Sequence, residues 1–157
     1  FQIGLGLYGG LLVVDSSGYD PAHERLIILG GNGPGVRSAR INGRAVPDTI
    51  RLTAGEIYRL RLIHIVPDWN VKIALSQGDS IVQWRALAKD GAELPRHLQT
   101  MRAASLLAGP GETMDFEYRP MVPGLLRLDV AQRSGVWKIQ LPVRVMASSA
   151  PASARAH

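Results

Sequence analysis

The 157-residue sequence contains no cysteine. That excludes a disulfide framework, a thiolate metal site and a cysteine nucleophile. It leaves the compartment open, because exported proteins also do without the residue. No apolar run approaches the roughly 18 residues that mark a membrane-spanning helix. The 18 Lys and Arg residues give a net charge of +5, yet they stand singly, as at Arg37, Arg40, Arg44 and Arg51. A nucleic-acid surface gathers its basic residues in stripes or patches, so no nucleic-acid partner is expected. Histidine clusters are missing too. His23, His64, His97 and His157 lie far apart in sequence, and none offers the paired donors of a local metal site. His64 is assigned to the outward face of its strand, one position being skipped by drift in register. No serine occupies a nucleophile-elbow setting. Asp115, Glu117 and Asp129 alternate with apolar residues and read as solvated strand faces. Catalytic, cofactor-binding and metal-binding residues are therefore all expected to be absent from this chain.

What the sequence has in abundance is alternation. Tyr58, Leu60 and Leu62 fall on one side of a strand pattern, with Arg59 and Arg61 on the other. The same period of two runs through Val71, Ile73 and Leu75, through Met114, Phe116 and Tyr118, through Leu126, Leu128 and Val130, and from Trp137 to Val145. Period two with one dry face predicts antiparallel strands in two packed layers. Turn residues punctuate the runs, at Asn42-Gly43, Gly55-Glu56, Gln77-Gly78-Asp79, Asp90-Gly91, Pro110-Gly111 and Ser134-Gly135. Gly, Asn and Asp supply the positive φ values and local hydrogen bonds that tight turns need. Many short strands so spaced predict an all-β sandwich. Residues 93–108 are the least regular, read as a loop with a short helical turn followed by a strand. "GGNGPG", residues 30–35, lacks the Lys-Ser/Thr of a phosphate loop and predicts only a connection. Residues 147–157, rich in Ala, Ser and Pro, are expected to form a disordered tail.

Two stretches together resemble the multicopper oxidases, the laccase-like enzymes assembled from cupredoxin domains. The first is "QIGLGLYGGLLVV", where Gln2 is followed after three residues by Gly6-Leu7-Tyr8-Gly9 and then an apolar run, residues 11–14. It is similar to the exit from a copper loop in that family. The second is residues 39–75, with Asn42-Gly43, Pro47, Gly55-Glu56 and the Arg59–Ile63 strand. It resembles the opening of a following cupredoxin domain, and residues 88–94 and 106–120 continue the likeness.

The resemblance implies a cupredoxin-like Greek-key β-sandwich, mostly antiparallel. It implies that residues 1–15 are the last strand of a truncated preceding cupredoxin domain, that residues 21–146 form a cupredoxin-like domain without a copper site, and that the preceding domain is a partner within the same chain. Copper in the parent protein would be bound before residue 1. The family places a histidine at the position of Gln2 and a weak axial ligand at that of Leu7 where it builds its mononuclear copper. Glutamine is a poor copper ligand, so that centre is not expected at this turn. The function so implied is part of a copper-dependent oxidoreductase, periplasmic or extracellular, with no membrane partner; homo-oligomerisation is left open. The alternative is a non-enzymatic β-sandwich binding or adhesion module, with Trp69 and Trp84 as candidate sugar platforms, although both also suit a core.

Overall fold

A computed structural model describes residues 7–14, 18–31, 39–67 and 69–148. Gln2, most of the connection at 30–35, and residues 149–157 of the expected tail lie outside the described residues. The alternating runs become two sheets. The first contains β1 (Glu24–Gly31), β2 (Ala39–Ile41), β4 (Tyr58–His64), β7 (Gln83–Lys89), β8 (Ala92–Glu93), β9 (Met101–Ala103) and β11 (Thr113–Tyr118). Its order is β2-β1-β4-β11-β7-β8, with β9 also paired to β7. The second contains β3 (Ile50–Thr53), β5 (Val71–Gln77), β6 (Ser80–Ile81), β10 (Ser105–Ala108), β12 (Gly124–Gln132) and β13 (Lys138–Met146). Its order is β10-β5-β12-β13-β3, with β6 beside β5.

All pairings are antiparallel except β1 with β4 and β13 with β3. A parallel pair needs a crossover, and here each crossover takes the chain from one sheet to the other and back. The result is the all-β sandwich that the alternation predicts. Among the described residues no helix is long and apolar enough to cross a membrane; the irregular stretch holds one 3₁₀ turn, Arg96–Leu98.

The core lies between the sheets. Its members are the in-phase residues of the runs, among them Leu60, Leu62, Ile73, Leu75, Phe116, Leu128 and Leu141. Trp84 sits at its centre, fully buried, its ring stacked on Phe116 with centroids 4.0 Å apart. The Asn42-Gly43 signal forms the expected tight turn, with φ of 50° and 78°. Such a pair of left-handed residues is what a two-residue hairpin turn demands. The Asn42 side chain also binds the edge of β1, accepting from Ile28 N at 2.7 Å and donating to Leu26 O at 3.0 Å.

Residues 7–14, within the segment read as the last strand of a preceding domain, make no ladder. One local expectation changes. His64 was expected on an outward face. The strand keeps strict phase instead, so Tyr58, Leu60, Leu62 and His64 all point inward and His64 is fully buried.

Candidate functional site

The outer face of the first sheet is not the wet face that simple alternation suggests. Register stacks its outward residues in rows that cross the strands. One row runs Glu24, Arg59, Glu117, Arg85, and the next runs Leu26, Arg61, Asp115, Ala88. A third pairs Ile28 with Ile63 and Thr113. Ala88 joins this face because the register between β7 and β11 shifts, leaving Leu87 unopposed as a bulge. Charge alternates along the first row, the arrangement that stabilises neighbouring strands. Arg61 binds both Glu24 and Asp115; Arg59 binds Asp115 at 2.7 Å and also reaches Glu93. The side chains of Glu24, Arg61 and Asp115 retain only 11–13% of their exposure. Surface ion pairs are usually far wetter, so something covers them.

Residues 7–14 are part of that cover. Tyr8 packs on Gly30 of β1 so closely that a Cβ there would collide with its hydroxyl oxygen. Burial pushes the Tyr8 phenol pKa up. Gly10 lies on the third row: a Cβ would come within 3.1 Å of Leu26 and Ile63. Residues 11–14 then line one cleft together with Leu26, Arg59, Arg61, Ile63 and Asp115. Tyr8 and Leu12 are partly buried, whereas Leu7, Leu11 and Val13 point away, at 69, 89 and 86% exposure.

The link into β1 is fastened at the neighbouring edge. His23 Nδ1 bonds the Asp20 carboxylate at 2.6 Å, and Nε2 lies 3.3 Å from Glu56 in the turn before β4. Tyr58 donates its hydroxyl to Glu56 at 2.7 Å and packs against the His23 ring. The hydrogen bond to Asp20 holds the His23 pKa above its ordinary value.

The three histidines among the described residues do not converge. His23 serves the link, His97 lies in the exposed 3₁₀ turn, and His157 lies outside the described residues. His64 Nδ1 bonds Gly109 O at 2.7 Å, and its Nε2 is buried without a partner. Among the described residues no three His, Cys, Asp or Glu side chains gather where they could hold a metal ion. Copper of the oxidase kind wants several imidazole or thiolate donors in one pocket, and this donor set does not fit it. Asp115 and Asp129, expected as solvated, are instead ion-paired, with 13 and 18% side-chain exposure. Trp84 does not reach the surface; Trp69 lies partly exposed at the end of the sandwich.

The two histidines titrate in opposite senses. Burial lowers the pKa of His64, so its contribution to stability is complete above the unfolded value of about 6.5 and is lost as pH falls below it. His23, with its pKa raised, contributes below that value and loses its effect as pH rises through the folded one. Unfolding midpoints measured between about pH 7.5 and 5 should therefore show a decline that flattens in His64→Gln and steepens in His23→Gln.

No protein-family model and no curated protein matches the chain. Solved structures do. A variant of the multicopper oxidase McoA from the hyperthermophile Aquifex aeolicus superposes with a TM-score of 0.66 at 17% identity, over 82% of this chain and 33% of its own. The blue copper oxidase of Nitrosomonas europaea gives 0.61 at 20% identity, over 78% and 43%. A laccase-like multicopper oxidase, CueO, from an Ochrobactrum species gives 0.62 at 19% identity, over 80% and 31%. The last is described as oxidising lignin model compounds and lignosulfonate. The likeness is one of fold: the sandwich is cupredoxin-like, of the kind found within multicopper oxidases. The chain spans only 31–43% of the length of these three.

Proposed function

We propose that this chain is a supporting, copper-free cupredoxin-like domain of a copper-dependent oxidoreductase of multicopper-oxidase type. Residues 1–15 belong to the last strand of a preceding cupredoxin domain, and residues 21–146 form the supporting domain. The observation that carries the reading is the segment 7–14. It makes no ladder, lays Tyr8 and Leu12 partly buried against the first sheet, and leaves Leu7, Leu11 and Val13 exposed. A strand apolar on both sides belongs between two covered faces. The rest of the preceding domain supplies the second cover and closes over the Glu24–Arg61–Asp115 network.

On this reading copper is held by the preceding domain, and the parent oxidises a phenol or a metal ion by single electrons while oxygen is reduced. The parent works in the periplasm or outside the cell. The residues described here bind and orient that neighbour and keep water from the ion pairs at the contact. Copper content tests the assignment. After exposure to cupric ion and desalting, the 157-residue chain should retain no stoichiometric copper and show no intense blue absorption. A longer chain that includes the preceding domain should retain it. Stoichiometric copper in the 157-residue chain would overturn the assignment.

A further inference from the structure

The outer face of the second sheet carries its charge differently from the first. Its outward residues include Arg51, Lys72, Arg127, Lys138 and Arg144, against one carboxylate, Asp129. Asp129 is engaged by Arg127, Lys138 and Gln140. Arg51 and Arg144 stand side by side in the parallel pair of β3 and β13. Both are exposed, and neither has a carboxylate partner among the described residues. Like charges placed side by side cost stability, whereas the first sheet alternates sign along its row. These cations stand singly in sequence because each strand contributes only one or two; register gathers them.

The same end of the sheet holds exposed apolar side chains. Leu125 lies beside Arg144 in the ladder. The connection from β11 to β12 just before it leaves Met121 and Val122 at 69 and 63% exposure. Met146, at the end of β13, is half exposed. Hydrogen bonds tie this corner together: Gly55 N donates to Pro120 O at 2.7 Å, Ala54 N to Met146 O at 2.9 Å, and Arg119 Nε to Gly55 O at 2.9 Å. Glu56, in the same turn, is engaged by Tyr58 and His23. Exposed apolar residues gathered in one place mark a contact. A nucleic acid would stack its bases on aromatic rings, and the outward residues of this sheet include none. An acidic peptide matches the cations alone. A bilayer with anionic headgroups meets both features at once. Its acyl boundary takes Met121, Val122 and Leu125, and its phosphates face Arg51 and Arg144.

We infer that this corner of the second sheet is a peripheral contact for an anionic lipid surface. Such a contact needs no spanning segment. The lack of a long apolar run therefore does not bear on it, and the expectation of no membrane partner gives way. The corner belongs to the other sheet from the domain-docking face, so failure of either reading leaves the other standing.

Co-sedimentation of the 157-residue chain with lipid vesicles tests the contact. Vesicles of phosphatidylglycerol and phosphatidylcholine in equal parts should carry the chain down, and vesicles of phosphatidylcholine alone should not. Binding should weaken as salt rises. Arg51→Gln and Arg144→Gln should each weaken it about fivefold, the worth of one basic residue at such a surface. Met121→Ser combined with Val122→Ser should weaken it at least as much, by removing the apolar insertion. All four positions are exposed, so these variants should keep the unfolding midpoint of the parent chain. Absence of binding, or equal binding to both kinds of vesicle, would overturn the proposal. So would binding that no variant alters, as expected if residues 7–14 met the lipid instead. Polyglutamate bound as tightly as the anionic vesicles, and equally by the Met121→Ser, Val122→Ser chain, would assign the corner to an acidic protein. A concentration-dependent dimer of the free chain that the same double variant abolishes would assign it to a second copy. Either assignment would overturn the lipid contact.

Discussion

Asp115→Ala is expected to destabilise the 157-residue chain by roughly 3 kcal/mol, the lower end of the cost of leaving a buried charge without its partner. Asp115 is shared by Arg59 and Arg61. Of these, Arg61 is as buried as the carboxylate itself. Removing Asp115 leaves two guanidinium groups to be desolvated by the sheet with too little negative charge beside them. For a chain of this size the change amounts to roughly 10 °C in the unfolding midpoint. The intact network is not itself a large source of stability, because the desolvation of its members offsets most of their attraction. The triple replacement Glu24→Leu, Arg61→Leu, Asp115→Leu should therefore recover most of the loss. If Asp115→Ala melted within about 2 °C of the parent chain, below any cost expected of a buried unpaired charge, the network would be solvated and the covered face would not exist.

Trp84→Ala is expected to be costlier still, about 4 kcal/mol, because it removes the largest fully buried side chain and leaves a cavity against Phe116. Trp84→Phe should cost much less than that. It keeps an aromatic ring against Phe116. It also removes an indole N–H that is buried without an acceptor, and the native chain bears the desolvation of that donor. Urea unfolding of the three proteins checks the order. A Trp84→Phe chain as unstable as Trp84→Ala would show that the indole is anchored by more than packing.

The inner faces of the strands could be read directly, since hydrophobic alternation reports which side chains meet the other sheet. Tyr58, Leu60 and Leu62 are as expected, and so are Met114, Phe116 and Tyr118. Turns were equally legible, because Gly43, Gly55, Gly78 and Gly91 take positive φ where Gly was expected to close a turn. His64 was misplaced by allowing one position of its strand to be skipped; strict phase puts it with Leu62. The docking face was misread for a deeper reason. Alternation separates core from not-core, and it cannot tell solvent from a second covered surface. Charges such as Arg61 and Asp115 look solvated until the register shows opposite signs stacked across β4 and β11. A signal was available in "RLR" of β4 and "DFE" of β11, two runs of opposite charge whose pairing would neutralise both. The bulge at Leu87, which brings Ala88 onto the face, left no such trace, and neither did the contact of Tyr8 with Gly30, which is set by tertiary packing.

The central claim is that residues 7–14 and the outer face of the first sheet form a contact completed by a preceding domain. Amide hydrogen exchange measures this most directly, in the 157-residue chain and in a longer chain that includes the preceding domain. In the shorter chain the amides of residues 11–14 carry no ladder bonds and should exchange rapidly, whereas those of β4 and β11 exchange slowly. In the longer chain residues 11–14 should become slow as well. Slow exchange of residues 11–14 in the shorter chain, or equally fast exchange in both, would contradict the account.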